Sequence, residues 1–179
     1  RRQRQMCIRD SIRSDFYETH PVFGMVVNQA VKRHDAQLFI VSDKKGKFSK
    51  LPHAQTLLGK PGTEIEVLNA MARVLIDEDL AVTDGIEGLE ELKAGLTKFA
   101  PTDVAERTGV SAEAIQAAAR ALSSAKKSAI LLAYGLPYTA QSKELAIAAA
   151  NLAILTGNAG REAVSYTHLR AHETKANLV

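Results

Sequence analysis

The stretch LFIVSDKKGKFSKLPHAQTLLGKPGTEIEVLNAMARVLID, residues 38–77, decides the fold. It opens on Leu38-Phe39-Ile40-Val41, an unbroken apolar run that reads as a strand buried on both faces, as in a parallel sheet. Ser42 to Lys50 is polar and holds Gly46, so the chain loops there. Ala54-Gln55-Thr56-Leu57-Leu58 reads as a second short strand, broken by Gly59-Lys60-Pro61-Gly62. Thr63 then starts a strong helix. Glu66, three residues later, gives capping-box spacing, and Ile65, Leu68, Ala72, Leu75 and Ile76 form an apolar stripe.

The same alternation continues on both sides. Upstream, Thr19 or His20 can cap a helix whose first turn suits Pro21, because the missing amide hydrogen would be unpaired there anyway. Val22, Met25, Val26 and Ala30 recur along it at helical spacing, and Lys32-Arg33-His34-Asp35 end it. Downstream, Asp77, Glu78 and Asp79 crowd a helix C-terminus, where negative charge is mildly unfavourable. Gly88 precedes a helix marked by Leu89, Leu92, Leu96 and Phe99, which Pro101 stops. Residues 102–124 read as two helices around Thr108-Gly109-Val110-Ser111. Ser128 to Ala133 is another buried strand, ended by Gly135. Ser142 to Thr156 is a helix with Leu145, Ala149, Leu152 and Leu155 on one face, followed by a turn at Gly157-Asn158-Ala159-Gly160. Strands alternating with helices predict an α/β fold, a parallel sheet with helices packed on it.

Composition bounds the reading. The chain has 179 residues, 46% of them apolar and 24% charged, enough for one domain with a real core. No run of 18 apolar residues is present, so no membrane span is predicted. Position 1 is Arg and no signal-peptide pattern follows it, from which we expect a fragment. The net charge of +3 arises at one end, where Arg1, Arg2, Arg4, Arg9 and Arg13 face Asp10 alone for a net of +4, which leaves the rest of the chain at −1. That end has no apolar periodicity and reads as a solvated tail rather than a basic binding face. Met6-Cys7-Ile8-Arg9-Asp10-Ser11 and Val164-Ser165-Tyr166-Thr167-His168-Leu169-Arg170-Ala171-His172-Glu173-Thr174 resemble translated sequencing-adapter sequence. The expected organisation is a non-native tail at 1–13, a partial domain at 14–163 and a second non-native tail at 164–179.

Several function classes are tested by their motifs. His168 and His172 stand at i,i+4 with Glu173 beside them, a spacing that can place two zinc ligands on one helix face. The His-Glu-x-x-His order and a third ligand are missing. Val104 to Ile115 looks like a helix-turn-helix, whose second helix would offer Glu113, Gln116 and Arg120 to base edges. It lacks the Lys/Arg density that phosphate contacts require, and a plain helical hairpin accounts for it. Glu18 and His20 can be paired as acid and base, although helix entry explains them equally well. There is no Gly-x-Ser-x-Gly elbow, no Gly-x-x-x-x-Gly-Lys-[Ser/Thr] and no Gly-x-Gly-x-x-Gly. Residues 14–161 contain no cysteine, so thiolate ligands for an iron–sulfur cluster would have to lie outside them.

The order of motifs carries a resemblance. Glu18-Thr19-His20-Pro21 with its helix, Leu38 to Asp43, and Lys60-Pro61-Gly62-Thr63-Glu64 with its helix ending Leu75-Ile76-Asp77-Glu78-Asp79-Leu80 come first. Leu89-Glu90-Glu91-Leu92-Lys93, the Thr108-Gly109-Val110 turn with Ala119-Arg120, and Asn151 to Asn158 follow in the same order. Together, over roughly residues 14–161, they resemble the molybdopterin oxidoreductases. The resemblance implies one layer of a dinucleotide-like α/β domain and a molybdopterin guanine dinucleotide cofactor. Asp43 and the Pro61-Gly62-Thr63-Glu64 loop are its implied contacts, with iron–sulfur clusters held outside these residues. It also implies other subunits of a multi-subunit oxidoreductase as partners, no nucleic acid, and a cytoplasmic location or one peripheral to the inner membrane through a complex.

Three positions depart from the family pattern. Lys44 and Lys45 stand where Pro and Arg are expected, and Glu64 stands where Asp is usual. Lys does not reproduce the planar fork of Arg. These departures point to the branch that keeps the fold without molybdenum chemistry, the large iron–sulfur subunit of NADH:quinone oxidoreductase. The alternative is a molybdenum- or tungsten-dependent formate dehydrogenase catalytic subunit. A helix-turn-helix regulator is the alternative of another class.

Overall fold

Strands Arg9–Ile12 (β1), Leu38–Ser42 (β2), Ala54–Leu58 (β3) and Ala129–Leu132 (β4) pair side by side in the order β3-β2-β1-β4, every pair parallel. The structure, a computed structural model, describes residues 9–12, 21–125, 128–132 and 142–159, and only the backbone for Arg9–Ile12, Phe23 and Ser142. Parallel neighbours need crossovers, and helices supply two of the three. Helix α1 (Pro21–His34) links β1 to β2. A path with one 3-10 turn, Lys47–Lys50, links β2 to β3, and Phe48 is buried on it. Four helices, α2 (Glu64–Asp77), α3 (Leu89–Leu96), α4 (Pro101–Thr108) and α5 (Ala112–Ser124), fill the crossover from β3 to β4. Helix α6 (Ser142–Leu155) follows β4.

The sheet is covered on both sides, and the period-2 alternation of strand side chains sorts its residues between two cores. Phe39, Val41 and Leu57 join α2, α5 and α6 in the larger core. Leu38, Ile40 and Leu131 join Val27 and Val31 of α1 and Phe48 in the smaller one. All five residues of β2 are buried, as its unbroken apolar run predicts. Helix α2 sits at the middle of the larger core, packed against α6 on one side and α3, α4 and α5 on others. It therefore buries Val67, Ala70, Met71 and Val74 in addition to Leu68, Ala72 and Leu75 of the predicted stripe, while Ile65 and Ile76 are only partly buried.

Several expectations are corrected. Helix α1 has the predicted span, but its packed face is Val27, Ala30 and Val31, while Val22, Met25 and Val26 face outward. The capping box does not form. Thr63 precedes α2 without capping it through its side chain, its Oγ1 donating instead to Lys60 O at 2.7 Å, and Glu66 pairs with Arg107. Pro101 does not stop a helix; α3 ends at Leu96 and Pro101 opens α4, where a missing N–H costs nothing. The unpacked end expected at 1–13 does not hold for Arg9–Ile12, which lies between β2 and β4. Ladder hydrogen bonds are made by the main chain and need no apolar stripe. The predicted features at Glu18, Thr19, His20, Gly135, Gly160 and 164–179 lie outside the described residues.

The helical hairpin is built as the sequence implies. Gly109, at φ 83°, closes α4 by donating its N–H to Ala105 O at 2.8 Å. Ser111 caps α5, its Oγ accepting from Ala114 N at 3.3 Å. Ile115, Ala118, Ala119 and Leu122 turn α5 into the larger core, and Arg120 is engaged by Glu78.

Candidate functional site

A parallel sheet brings all its carboxyl ends to one edge, where loops and helix N-termini gather polar groups. Here β2 ends at Ser42-Asp43 and β3 at Leu58-Gly59. The Gly59 N–H donates to Ser42 O at 3.1 Å, so Asp43 is set beside the start of the Gly59–Glu64 turn. The Lys44 N–H donates to Ser42 Oγ at 3.2 Å and tightens the bend after β2.

The turn itself follows from its residues. Pro61 supplies the fixed φ of a second turn position and Gly62, at φ 82°, the left-handed third; the Thr63 N–H then closes on Lys60 O at 3.2 Å. The Lys60 N–H donates to Thr108 O at 2.9 Å, which ties the turn to the α4–α5 hairpin. Gly59 is confined: a Cβ there would meet Thr63 Oγ1 at 3.1 Å, Val110 Cγ2 at 3.4 Å and Thr108 O at 3.7 Å.

The predicted residues divide by burial. Asp43, Gly62 and Thr63 are half-buried and Pro61 is exposed. Glu64 is only 4% exposed, in the first turn of α2, where its charge suits the helix dipole. It stands behind the turn rather than on the surface. Lys44 and Lys45, next to Asp43 in the chain, and Lys60, next to Gly59, are all exposed.

Sequence reasoning missed a groove of about 370 Å³ beside Gly62, lined also by Ile65, Glu66, Lys98, Phe99 and Arg107. Arg107 Nε donates to Glu66 Oε2 at 2.6 Å and its other arm reaches Lys98 O at 3.3 Å. Lys98 Nζ stands 5.3 Å from the centre of the Phe99 ring. No sequence signal joins these residues, because Glu66 and Arg107 are 41 positions apart. Among the described residues, no group of three His, Cys, Asp or Glu is placed to hold a metal ion, and no helix is long and apolar enough to cross a membrane.

No family profile matches the chain. It is similar to formate dehydrogenase H of Escherichia coli, 34% identical over 148 residues that span 80% of this chain and 20% of that one. It is also similar to the F420-dependent formate dehydrogenase subunit alpha of Methanocaldococcus jannaschii, 28% identical over 163 residues, 89% of this chain and 24% of that one. In fold it matches the acetylene hydratase from Pelobacter acetylenicus with a TM-score of 0.71 and 24% identity, over 85% of this chain and 21% of that one. The chain thus spans between a fifth and a quarter of the length of these proteins. Its relatives are oxidoreductases of the formate dehydrogenase and molybdopterin type, the family its motifs resemble, and the fold is a segment of that architecture.

Proposed function

We propose that the chain is one α/β layer of a formate-dehydrogenase-type catalytic subunit. Its β2–β3 carboxyl edge would bind the nucleotide end of a molybdopterin guanine dinucleotide. The observation that carries this reading is the 34% identity to formate dehydrogenase H over four fifths of the chain. These relatives favour formate dehydrogenase over the large iron–sulfur subunit of NADH:quinone oxidoreductase, which rests on Lys44, Lys45 and Glu64 alone. In the same reading residues 14–163 are the native part, 1–13 and 164–179 are foreign, and the parent works with other subunits, without a membrane span in this layer.

The donor set at the edge fits the nucleotide end of such a cofactor. Lys44, Lys45 and Lys60 are exposed cations that suit phosphate oxygens, and the Asp43 carboxylate can accept from a base or sugar donor. The turn at Pro61-Gly62-Thr63 presents backbone without bulk, because Gly62 carries no Cβ. When bound, the cofactor supplies the redox chemistry; these residues hold and orient its nucleotide end. Cluster ligands are assigned to other parts of the parent, since 14–161 has no cysteine.

Metal analysis and formate oxidation by the full-length parent test the reading. Stoichiometric molybdenum or tungsten with formate oxidation is the expected result. Iron without molybdenum or tungsten would restore the NADH:quinone oxidoreductase reading.

A further inference from the structure

The groove beside Gly62 lies where the start of α2, the link from α3 to α4 and the end of α4 meet. It is walled by Ile65 and Glu66 of α2, Lys98 and Phe99 of the link and Arg107 of α4, around about 370 Å³. Small-molecule sites begin at roughly that size. Ile65 and Phe99 pack on the larger core and are only partly buried, which gives the groove an apolar lining. Its charged lining is two cations, Lys98 and Arg107, against one carboxylate, Glu66.

Both cations are held in place and neither is used up. Arg107 is fixed from two sides, by Nε to Glu66 Oε2 and by Nη2 to Lys98 O. A side chain fixed in this way has already lost the rotamer freedom that ligand binding would otherwise cost. The guanidinium carries five N–H donors in a rigid fork, and these two bonds leave others without a partner among the described residues. The Lys98 ammonium, 5.3 Å from the centre of the Phe99 ring, has no ion pair among the described residues. An ordered guanidinium with spare donors, a second cation and an aromatic ring therefore converge on one opening.

We propose that this groove binds a small planar carboxylate, an aromatic ring carrying one carboxylate group, at a site separate from the nucleotide edge. The carboxylate accepts from the remaining donors of Arg107 and from Lys98, as charge-assisted hydrogen bonds. The ring lies against Ile65 and Phe99, where aromatic pairing adds to area burial. Gly62, without a Cβ, leaves the neighbouring wall low. The charge count selects a monoanion: one negative charge balances the excess cation, and a phosphate dianion would exceed it. The cofactor reading gives no role to Glu66, Lys98, Phe99 or Arg107, so the two stand or fall apart.

The test titrates the 179-residue chain with 2-naphthoate, followed by probe fluorescence and calorimetry, with 2-naphthylmethanol as its uncharged counterpart. Saturable binding of one naphthoate per chain is expected, with the alcohol weaker by roughly tenfold or more, the size of one charge-assisted hydrogen bond. Arg107→Gln and Lys98→Gln are each expected to weaken naphthoate by about tenfold and to leave the alcohol unchanged. Lys98→Gln is the safe variant, because Lys98 is exposed and should keep the melting temperature. Guanosine 5′-monophosphate is expected not to displace the probe. No saturable binding by about 10 mM overturns the proposal. So does equal affinity for acid and alcohol, or naphthoate binding indifferent to both substitutions. Displacement by guanosine 5′-monophosphate also overturns it, since the groove would then belong to the nucleotide edge.

Discussion

Arg120 on α5 holds Glu78, just past the end of α2, with both arms of its guanidinium: Nε to Oε2 and Nη2 to Oε1, each at 2.7 Å. The two residues are 42 positions apart, so the bond fixes α5 along α2 from outside the core. It also answers a local fault of the sequence. Asp77, Glu78 and Asp79 put negative charge at a helix C-terminus, and Arg120 neutralises one of the three. The hydrogen bond from Arg120 holds the Glu78 carboxyl below its usual 4.5, and the same bond raises Arg120.

The sign of the resulting pH dependence follows. A carboxyl whose folded pKa is depressed contributes stability above its unfolded value and loses it as pH falls through the folded value. Melting temperatures of the wild type and Arg120→Met should therefore differ at pH 7 and converge below about pH 4.5. The gap should be small, because the pair is exposed to water. An equal gap at pH 3 and pH 7 would contradict the assignment.

Two methionines on two helices should respond in opposite ways. Met71 on α2 is fully buried, and Met71→Ala removes contacts that no neighbour replaces; a loss of about 2–5 kcal/mol in urea unfolding is expected. Met25 on α1 is 53% exposed, and Met25→Ala in this chain should stay within about 0.5 kcal/mol. Comparable losses would mean that the outer stripe of α1 is packed in solution.

The turn after β3 offers a sharper test of packing. Gly59→Ala pushes a Cβ toward Thr63 Oγ1, which is held in place by its bond to Lys60 O, and toward Val110. The expected cost is about 1–3 kcal/mol. In a Thr63→Ala background the same change should cost less, because the nearest obstacle is gone; residues in contact couple in this way. Equal costs in both backgrounds would show that Thr63 is not the limiting neighbour.

Most of the architecture is legible in the sequence where one signal dominates. The apolar run of β2, the Pro61-Gly62 break and the stripe of α6 each fix type and position within a residue or two. The failures share a cause, which is tertiary contact that local pattern does not encode. Apolar residues occupy both faces of α1, so spacing alone selected the outer one. Glu66 has the spacing of a capping box but is taken by Arg107, 41 residues on. Of the candidate site, the motif supplies Asp43 and the Pro61–Thr63 turn, and the Ser42–Gly59 bond sets Asp43 beside the start of that turn. The burial of Glu64 and the groove at Lys98, Phe99 and Arg107 depend on how α2, α3 and α4 pack, which no spacing rule reaches.

Strand β1 is the least consistent element, and its register gives the last prediction. It lies between β2 and β4, where a parallel sheet covered on both faces favours continuous apolar sequence. Its neighbours comply: Arg9 is level with Leu38 and Ala129, Asp10 with Phe39 and Ile130, Ser11 with Ile40 and Leu131. Arg9-Asp10-Ser11 does not comply. Asp is depleted in strands and Val enriched, with a scale spanning about 1 kcal/mol. Asp10→Val should therefore raise the melting temperature by about 2–4 °C for a chain of this size. Thermal unfolding followed by circular dichroism measures it. A lower melting temperature would show that Asp10 is built into the fold, and with it that the segment before residue 14 is native.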